Sequence, residues 1–112
     1  MKGNCKLRKY HNKLVRDKIP QIIRESGKDS LCRCLSEEEM TVYLEKKLTE
    51  EVEEYYYSKS LEELADILEV VYALAEMQGC DKLRLEEVRL QKEIENGAFK
   101  NGIFLEYVDD FS

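Results

Sequence analysis

Tryptophan is absent, proline occurs once, at Pro20, glycine five times and histidine once, at His11, in a chain of 112 residues. So few helix breakers and no low-complexity run exclude a linker-rich or disordered chain, and the abundant Leu, Glu and Lys favour helix. A lone histidine offers no convincing general-base triad, so a surface or capping role is expected for His11. No run is long and apolar enough for a signal peptide or a membrane span, so no membrane partner and a cytoplasmic location are expected. Cys5, Cys32, Cys34 and Cys80 include one C-x-C, without the C-x-x-C spacing or the second pair that a zinc knuckle needs. Reduced thiols with a structural or incidental role are expected. Positive charge is also short: 18 Lys and Arg stand against 24 Asp and Glu, a net charge of -6. That balance argues against a nucleic-acid polymer as partner, because phosphate backbones ask for a basic surface.

What is present is unevenly placed. Residues 1–28 hold Lys2, Lys6, Arg8, Lys9, Lys13, Arg16, Lys18, Arg24 and Lys28 against only Asp17 and Glu25, whereas the stretch from Glu37 to Glu76 is strongly acidic. A basic arm beside an acidic body suits a ligand that carries both phosphates and metal. At this length residues 1–112 read as one domain, mostly α, built on a bundle of about four helices. A short helix is expected from Asp17 or Ile19 to Ser26, with Pro20 in its first turn and Gly27 ending it. Ser36 followed by Glu39 is a capping box that opens a helix to about Tyr57; Ser60 followed by Glu63 opens another, to Gln78 and Gly79. Asp81 caps a fourth helix that ends near Asn96 and Gly97. Leu31 to Leu35 and Ile103 to Val108 alternate enough to form a small two-stranded β element. The link at Ser58 and Lys59 is so short that the second and third helices must double back as an antiparallel hairpin.

Two acidic pairs stand out on that hairpin, Glu51 with Glu54 and Glu63 with Asp66, each three residues apart and so on one side of a helix. In the second helix an apolar stripe runs through Met40, Leu44, Leu48, Val52 and Tyr55. Glu51 falls within it and Glu54 on its flank, while Glu50 and Glu53 point to water. The third helix is apolar on nearly every side from Leu64 to Leu74, its one polar seam being Glu62, Glu69 and Glu76. Glu63 and Asp66 head apolar stripes instead. Acids on buried faces are costly without a partner, and carboxylates crowded together favour a hard divalent cation, so Glu51, Glu54, Glu63 and Asp66 read as a magnesium site. Other roles stay open for them: Glu63 as the capping acid of Ser60, Glu51 and Glu54 as ion-pair partners of Lys46, Lys47 or the basic arm. A helix apolar on so many sides calls for self-association, as a homodimer or homotetramer. Tyr55, Tyr56 and Tyr57 are candidates for stacking on a base at the hairpin end, although Tyr55 also fits the core stripe.

The chain resembles the all-α nucleoside triphosphate pyrophosphohydrolase superfamily, which includes MazG, dimeric dUTPase-like enzymes and phosphoribosyl-ATP pyrophosphohydrolase. E-x-x-E followed by E-x-x-D on paired helices is found as Glu51-x-x-Glu54 and Glu63-x-x-Asp66. More specific are Tyr10-x-Asn-Lys-Leu-Val-Arg-Asp-Lys-Ile-Pro20, Glu62-Glu-Leu-Ala-Asp-Ile-Leu-Glu-Val-Val71 and Gly97-Ala-Phe-Lys-Asn-Gly-Ile-Phe-Leu-Glu106, which resemble a small phosphoribosyl-ATP pyrophosphohydrolase-like branch from about Lys9 to Tyr107. The resemblance implies hydrolysis of a nucleoside triphosphate between its α- and β-phosphates, giving a monophosphate and pyrophosphate, with Mg2+ or Mn2+ held by Glu51, Glu54, Glu63 and Asp66. It makes Glu50 a helper in orienting water. It also implies an oligomer whose sites draw on more than one subunit, so that the basic arm serves a neighbour. Lys13, Arg16 and Lys18, then Lys92 and Lys100, are the cations to hold phosphates. Two readings outside this class stay open: an idle relative that binds nucleotide or regulates a partner, and a structural helical adaptor whose acids are solvated surface.

Overall fold

Three side-chain caps set the architecture. The Ser36 hydroxyl accepts from the Glu39 backbone N–H at 3.2 Å and the Glu39 carboxylate accepts from the Ser36 N–H at 3.1 Å, a complete capping box. Ser60 accepts from the Glu63 N–H at 3.3 Å, and Asp81 from the Arg84 N–H at 2.9 Å. In a computed structural model that describes residues Leu7 to Phe111, these caps open three of the four helices. They are α1 (Ile19–Glu25), α2 (Glu37–Ser58), α3 (Leu61–Met77) and α4 (Lys82–Asn96). Pro20 lies in the first turn of α1, where its missing N–H costs nothing. Gly27, Gly79 and Gly97 follow α1, α3 and α4 with positive φ, the conformation in which glycine ends a helix without a Cβ penalty. Lys59 takes the same left-handed role after α2.

The hairpin is the heart of the molecule. α2 packs on α3, and α4 touches α3 alone among the helices described. Leu44 on α2 and Val70 and Ala75 on α3 are the buried apolar residues, with Leu48, Val52, Tyr55, Ile67 and Leu74 half-buried around them. The α2 stripe is thus the one expected. The α3 faces are not fully covered: Leu61, Leu64 and Leu68 remain exposed, so the burial expected over most of its circumference is not supplied within one chain.

No strand forms among the described residues, either at Leu31 to Leu35 or at Ile103 to Val108. Leu31 and Ile103 to Val108 are exposed, and a two-stranded ribbon without an apolar face to pack is marginal in water. Arg33 is engaged elsewhere, its guanidinium forking onto the Glu39 carboxylate at 3.1 and 2.9 Å. The chain measures 80 × 32 × 24 Å with a radius of gyration of 20.3 Å, against about 13 Å for a compact domain of this length.

Candidate functional site: a carboxylate cluster on the helical hairpin

The short link between α2 and α3 forces the last turns of one helix beside the first turns of the next, so their acids meet. One oxygen each from Glu51, Glu63 and Asp66 lie within 4.8 Å of one another, as do one each from Glu50, Glu51 and Glu54. Glu51 belongs to both groups and is the centre. It is 5% exposed, and its Oε2 has no hydrogen-bond partner; the Oε2 of Glu63 is also buried without one. The four acids singled out by helical spacing are therefore brought together, with Glu54 on the exposed rim and Asp66 half-buried. Glu53, Glu62, Glu69 and Glu76 lie exposed, as their positions on the wheel predict.

Two expectations need correction. Glu50 does not point to water: its carboxylate is half-buried at the edge of the cluster, where Lys13 at 3.2 Å and Lys47 at 3.3 Å both pair with its Oε1. Nor do Ser60 and Glu63 complete a capping box. The Ser60 N–H donates to the Ser58 hydroxyl at 3.3 Å, which releases the Glu63 side chain to turn into the hairpin. Glu63 is thus more than a capping acid.

Protonation follows from this crowding. Desolvation, then repulsion from Glu54, Glu51 and Asp66, pushes the Glu63 carboxyl up to about 7. Burial also raises Glu51, and Glu54 and Asp66 add to the shift, although the Lys47 ammonium opposes it. Burial acts against Glu50 as well, but its hydrogen bond from Lys13 and the charge of Lys47 hold it below the usual carboxylate range.

The basic arm reaches the acids of its own chain. Arg16 pairs with Asp66 at 2.6 Å and lies 4.0 Å from Glu69, while Lys47 pairs with Glu51 at 3.3 Å. Of the ion pairs open as an alternative role for Glu51 and Glu54, Lys47 with Glu51 is present, whereas Glu54 and Lys46 form none among the described residues and the arm meets Glu50 and Asp66 instead. Five carboxylates (Glu50, Glu51, Glu54, Glu63 and Asp66) face three cations (Lys13, Arg16 and Lys47), so the acids outnumber the cations by two. Surplus acids with hard oxygen ligands, two of those oxygens orphaned and buried, fit a divalent cation that takes the place of their protons.

The other expected cations stay apart. Lys18 is the exposed residue that precedes α1, and no hydrogen bond or ion pair joins it, Lys92 on α4 or Lys100 in the following turn to these acids among the described residues. Lys2, Lys6 and Cys5 lie outside those residues. Cys32 and Cys34 are exposed and Cys80 half-buried, all free thiols. Tyr55 is half-buried and Tyr56 and Tyr57 exposed, with the Lys59 ammonium 5.7 Å from the Tyr55 ring and 5.5 Å from that of Tyr56. His11 is exposed and, with Lys13, Tyr43, Lys46, Lys47 and Glu50, lines a concavity beside the cluster. Tyr43 and His11 were not legible as site residues, because only the course of the arm over α2 brings them there.

Fold and site together define an all-α protein with an acidic cluster on a helical hairpin and no helix, among the described residues, long and apolar enough to cross a membrane. Over 41 residues, 37% of this chain and 42% of the relative, it is 51% identical to an uncharacterized protein of Mycolicibacterium smegmatis. The matched stretch spans less than half of that relative's length. No family model and no solved structure matches the chain.

Proposed function

We propose that the protein is a Mg2+- or Mn2+-dependent nucleoside triphosphate pyrophosphohydrolase of the all-α superfamily that its motifs resemble, one that clears canonical or damaged nucleotides. The observation that carries this reading is Glu51, nearly fully buried at the centre of five carboxylates, with an oxygen that no protein group satisfies. An acid kept there without a purpose would cost stability. Glu51, Glu54, Glu63 and Asp66 would hold the ion. When bound, the ion neutralises phosphate oxygens and lowers the pKa of a water aligned for in-line attack. Glu50, tied to Lys13 and Lys47, would orient that water, and Arg16 would move from Asp66 onto a phosphate oxygen. One water is taken up by the anhydride between the α- and β-phosphates, and a monophosphate and pyrophosphate leave. The test is pyrophosphate release from a panel of NTPs and dNTPs with and without Mg2+.

The same reading includes self-association. The single chain exposes 10620 Å2, against about 6,400 Å2 for a compact protein of 13.2 kDa. Leu61, Leu64 and Leu68 on α3 and Leu83, Leu90 and Ile94 on α4 are apolar side chains left open on the bundle, and a second copy covering them gives a homodimer, or two such pairs a homotetramer. In such an assembly Lys18, Lys92 or Lys100 would serve a neighbour's site. Sedimentation should return at least twice the chain mass, and the double substitution Leu64→Glu with Leu68→Glu should shift it to the monomer. A monomeric wild type would remove this part of the proposal.

A further inference from the structure

The concavity beside the acids has the opposite character to the cluster itself. Lys13, Lys46 and Lys47 bring three ammonium groups to its wall against one lining carboxylate, Glu50, and the His11 side chain completes the wall. Glu50 holds two of the three ammoniums, at 3.2 and 3.3 Å. The third, on Lys46, stands 4.9 Å over the Tyr43 ring and has no carboxylate partner among the described residues. Its volume, about 240 Å3, is below the range of roughly 300–1,000 Å3 that encloses a drug-sized or nucleotide-sized molecule. The space is small and the charge is multiple.

We infer that this concavity, walled by His11, Lys13, Lys46 and Lys47, is a diphosphate subsite that seats the β- and γ-phosphates of the substrate and then the pyrophosphate product. The inference rests on the proposed hydrolase reading and deepens it. A diphosphate carries several negative charges on compact oxygens, which ammonium groups meet as point charges from any direction. Glu50 is shared between this wall and the carboxylate cluster, so a nucleotide whose tail lies among the lysines presents the anhydride next to Glu51. On arrival of the anion, the Lys13 and Lys47 ammoniums exchange Glu50 for phosphate oxygen. Lys46 needs no exchange, having no acid to leave, and its stem and the Tyr43 ring hold it in place.

Calorimetric titration of the full chain with inorganic pyrophosphate at saturating Mg2+ tests this, with wild type, Lys46→Ala and Lys46→Arg compared. Pyrophosphate should bind the wild type, about tenfold more weakly to Lys46→Ala, and within about twofold of wild type to Lys46→Arg, in line with the loss of one charge-assisted contact. A nucleoside monophosphate, which lacks the diphosphate, should bind all three alike. Failure of the wild type to bind pyrophosphate, or equal binding by Lys46→Ala, overturns the subsite. Mn2+ titration of the same samples judges the metal centre separately, because Lys46 touches none of the acids proposed to hold the ion.

Discussion

Asp66→Ala should lower Mg2+-dependent pyrophosphate release by about a thousandfold while the far-ultraviolet circular dichroism spectrum stays helical. The size follows from the several kcal/mol that a metal contributes to phosphoryl charge stabilisation, at 1.36 kcal/mol per factor of ten. Asp66 shares with Glu51 and Glu63 a set of oxygens within 4.8 Å, so its loss would remove one of the proposed ligands of the ion. The fold survives because Asp66 is half-buried and its partner Arg16 is about half exposed; an ion pair so open to water contributes at most about 1 kcal/mol. Glu54→Ala is expected to behave the same way. Glu69→Ala, on the exposed seam and only 4.0 Å from Arg16, should stay within a few-fold of wild type. Equal damage by Glu69→Ala and Asp66→Ala would mean that the hairpin's two faces are not functionally distinct.

Glu51→Gln should do the reverse for stability, raising the melting temperature of the metal-free protein by about 4 °C at neutral pH and fixed protein concentration. A buried carboxylate with an unsatisfied oxygen costs about 1–3 kcal/mol, and Lys47 keeps Glu50 as its partner when the pair with Glu51 is lost. The same substitution should abolish the rise in melting temperature that Mn2+ gives the wild type, since ligand binding to the folded chain alone is what raises it. Stability gained and ion lost is the pattern expected where acids are kept for chemistry.

The pH dependence points the same way. Glu63 faces Glu54 and Glu51 across the hairpin and Asp66 one turn along its own helix, with Lys47 and Arg16 as the nearby cations. Its carboxyl, raised from 4.5 to about 7, binds more proton in the folded chain than in the unfolded chain between those values, so metal-free stability falls as pH rises through that window. Glu39 acts in the opposite sense and at lower pH: held at about 2 by Arg33 and the Ser36 N–H, it adds stability that is lost as pH falls from 4.5 towards 2. Saturating Mn2+ should remove the fall above 4.5, because the ion takes the place of the proton. A melting temperature that climbs steadily from pH 5 to about 7 without metal would contradict the crowding of these acids.

Much of this was legible in the residues themselves. Ser36, Ser60 and Asp81 mark the starts of α2, α3 and α4, and Gly27, Gly79 and Gly97 the turns after α1, α3 and α4, because caps act locally. The burial of Glu51 was readable from its place between Leu48 and Tyr55, since one helix's spacing already decides which side packs. Glu50 was misread for the complementary reason: its surroundings come from Lys13, thirty-seven residues away, and no wheel drawn on α2 contains that segment. The concavity with Tyr43 and Lys46 escapes sequence for the same cause. The strands expected at Leu31 to Leu35 and Ile103 to Val108 rest on alternation alone, which gives a pattern of faces but supplies neither a pairing partner nor a surface to bury against.

The decisive measurement is release of monophosphate and pyrophosphate from the nucleotide panel, run with Mg2+, with chelator, and with Asp66→Ala in place of wild type. The expected result is a one-to-one yield of the two products from at least one nucleotide, dependent on Mg2+, restored by Mn2+ after chelation, and lost in Asp66→Ala. Release that is indifferent to chelator or to Asp66→Ala, or no release from any nucleotide by a wild-type protein saturated with Mg2+, would contradict the assignment of the carboxylate cluster as a pyrophosphohydrolase centre.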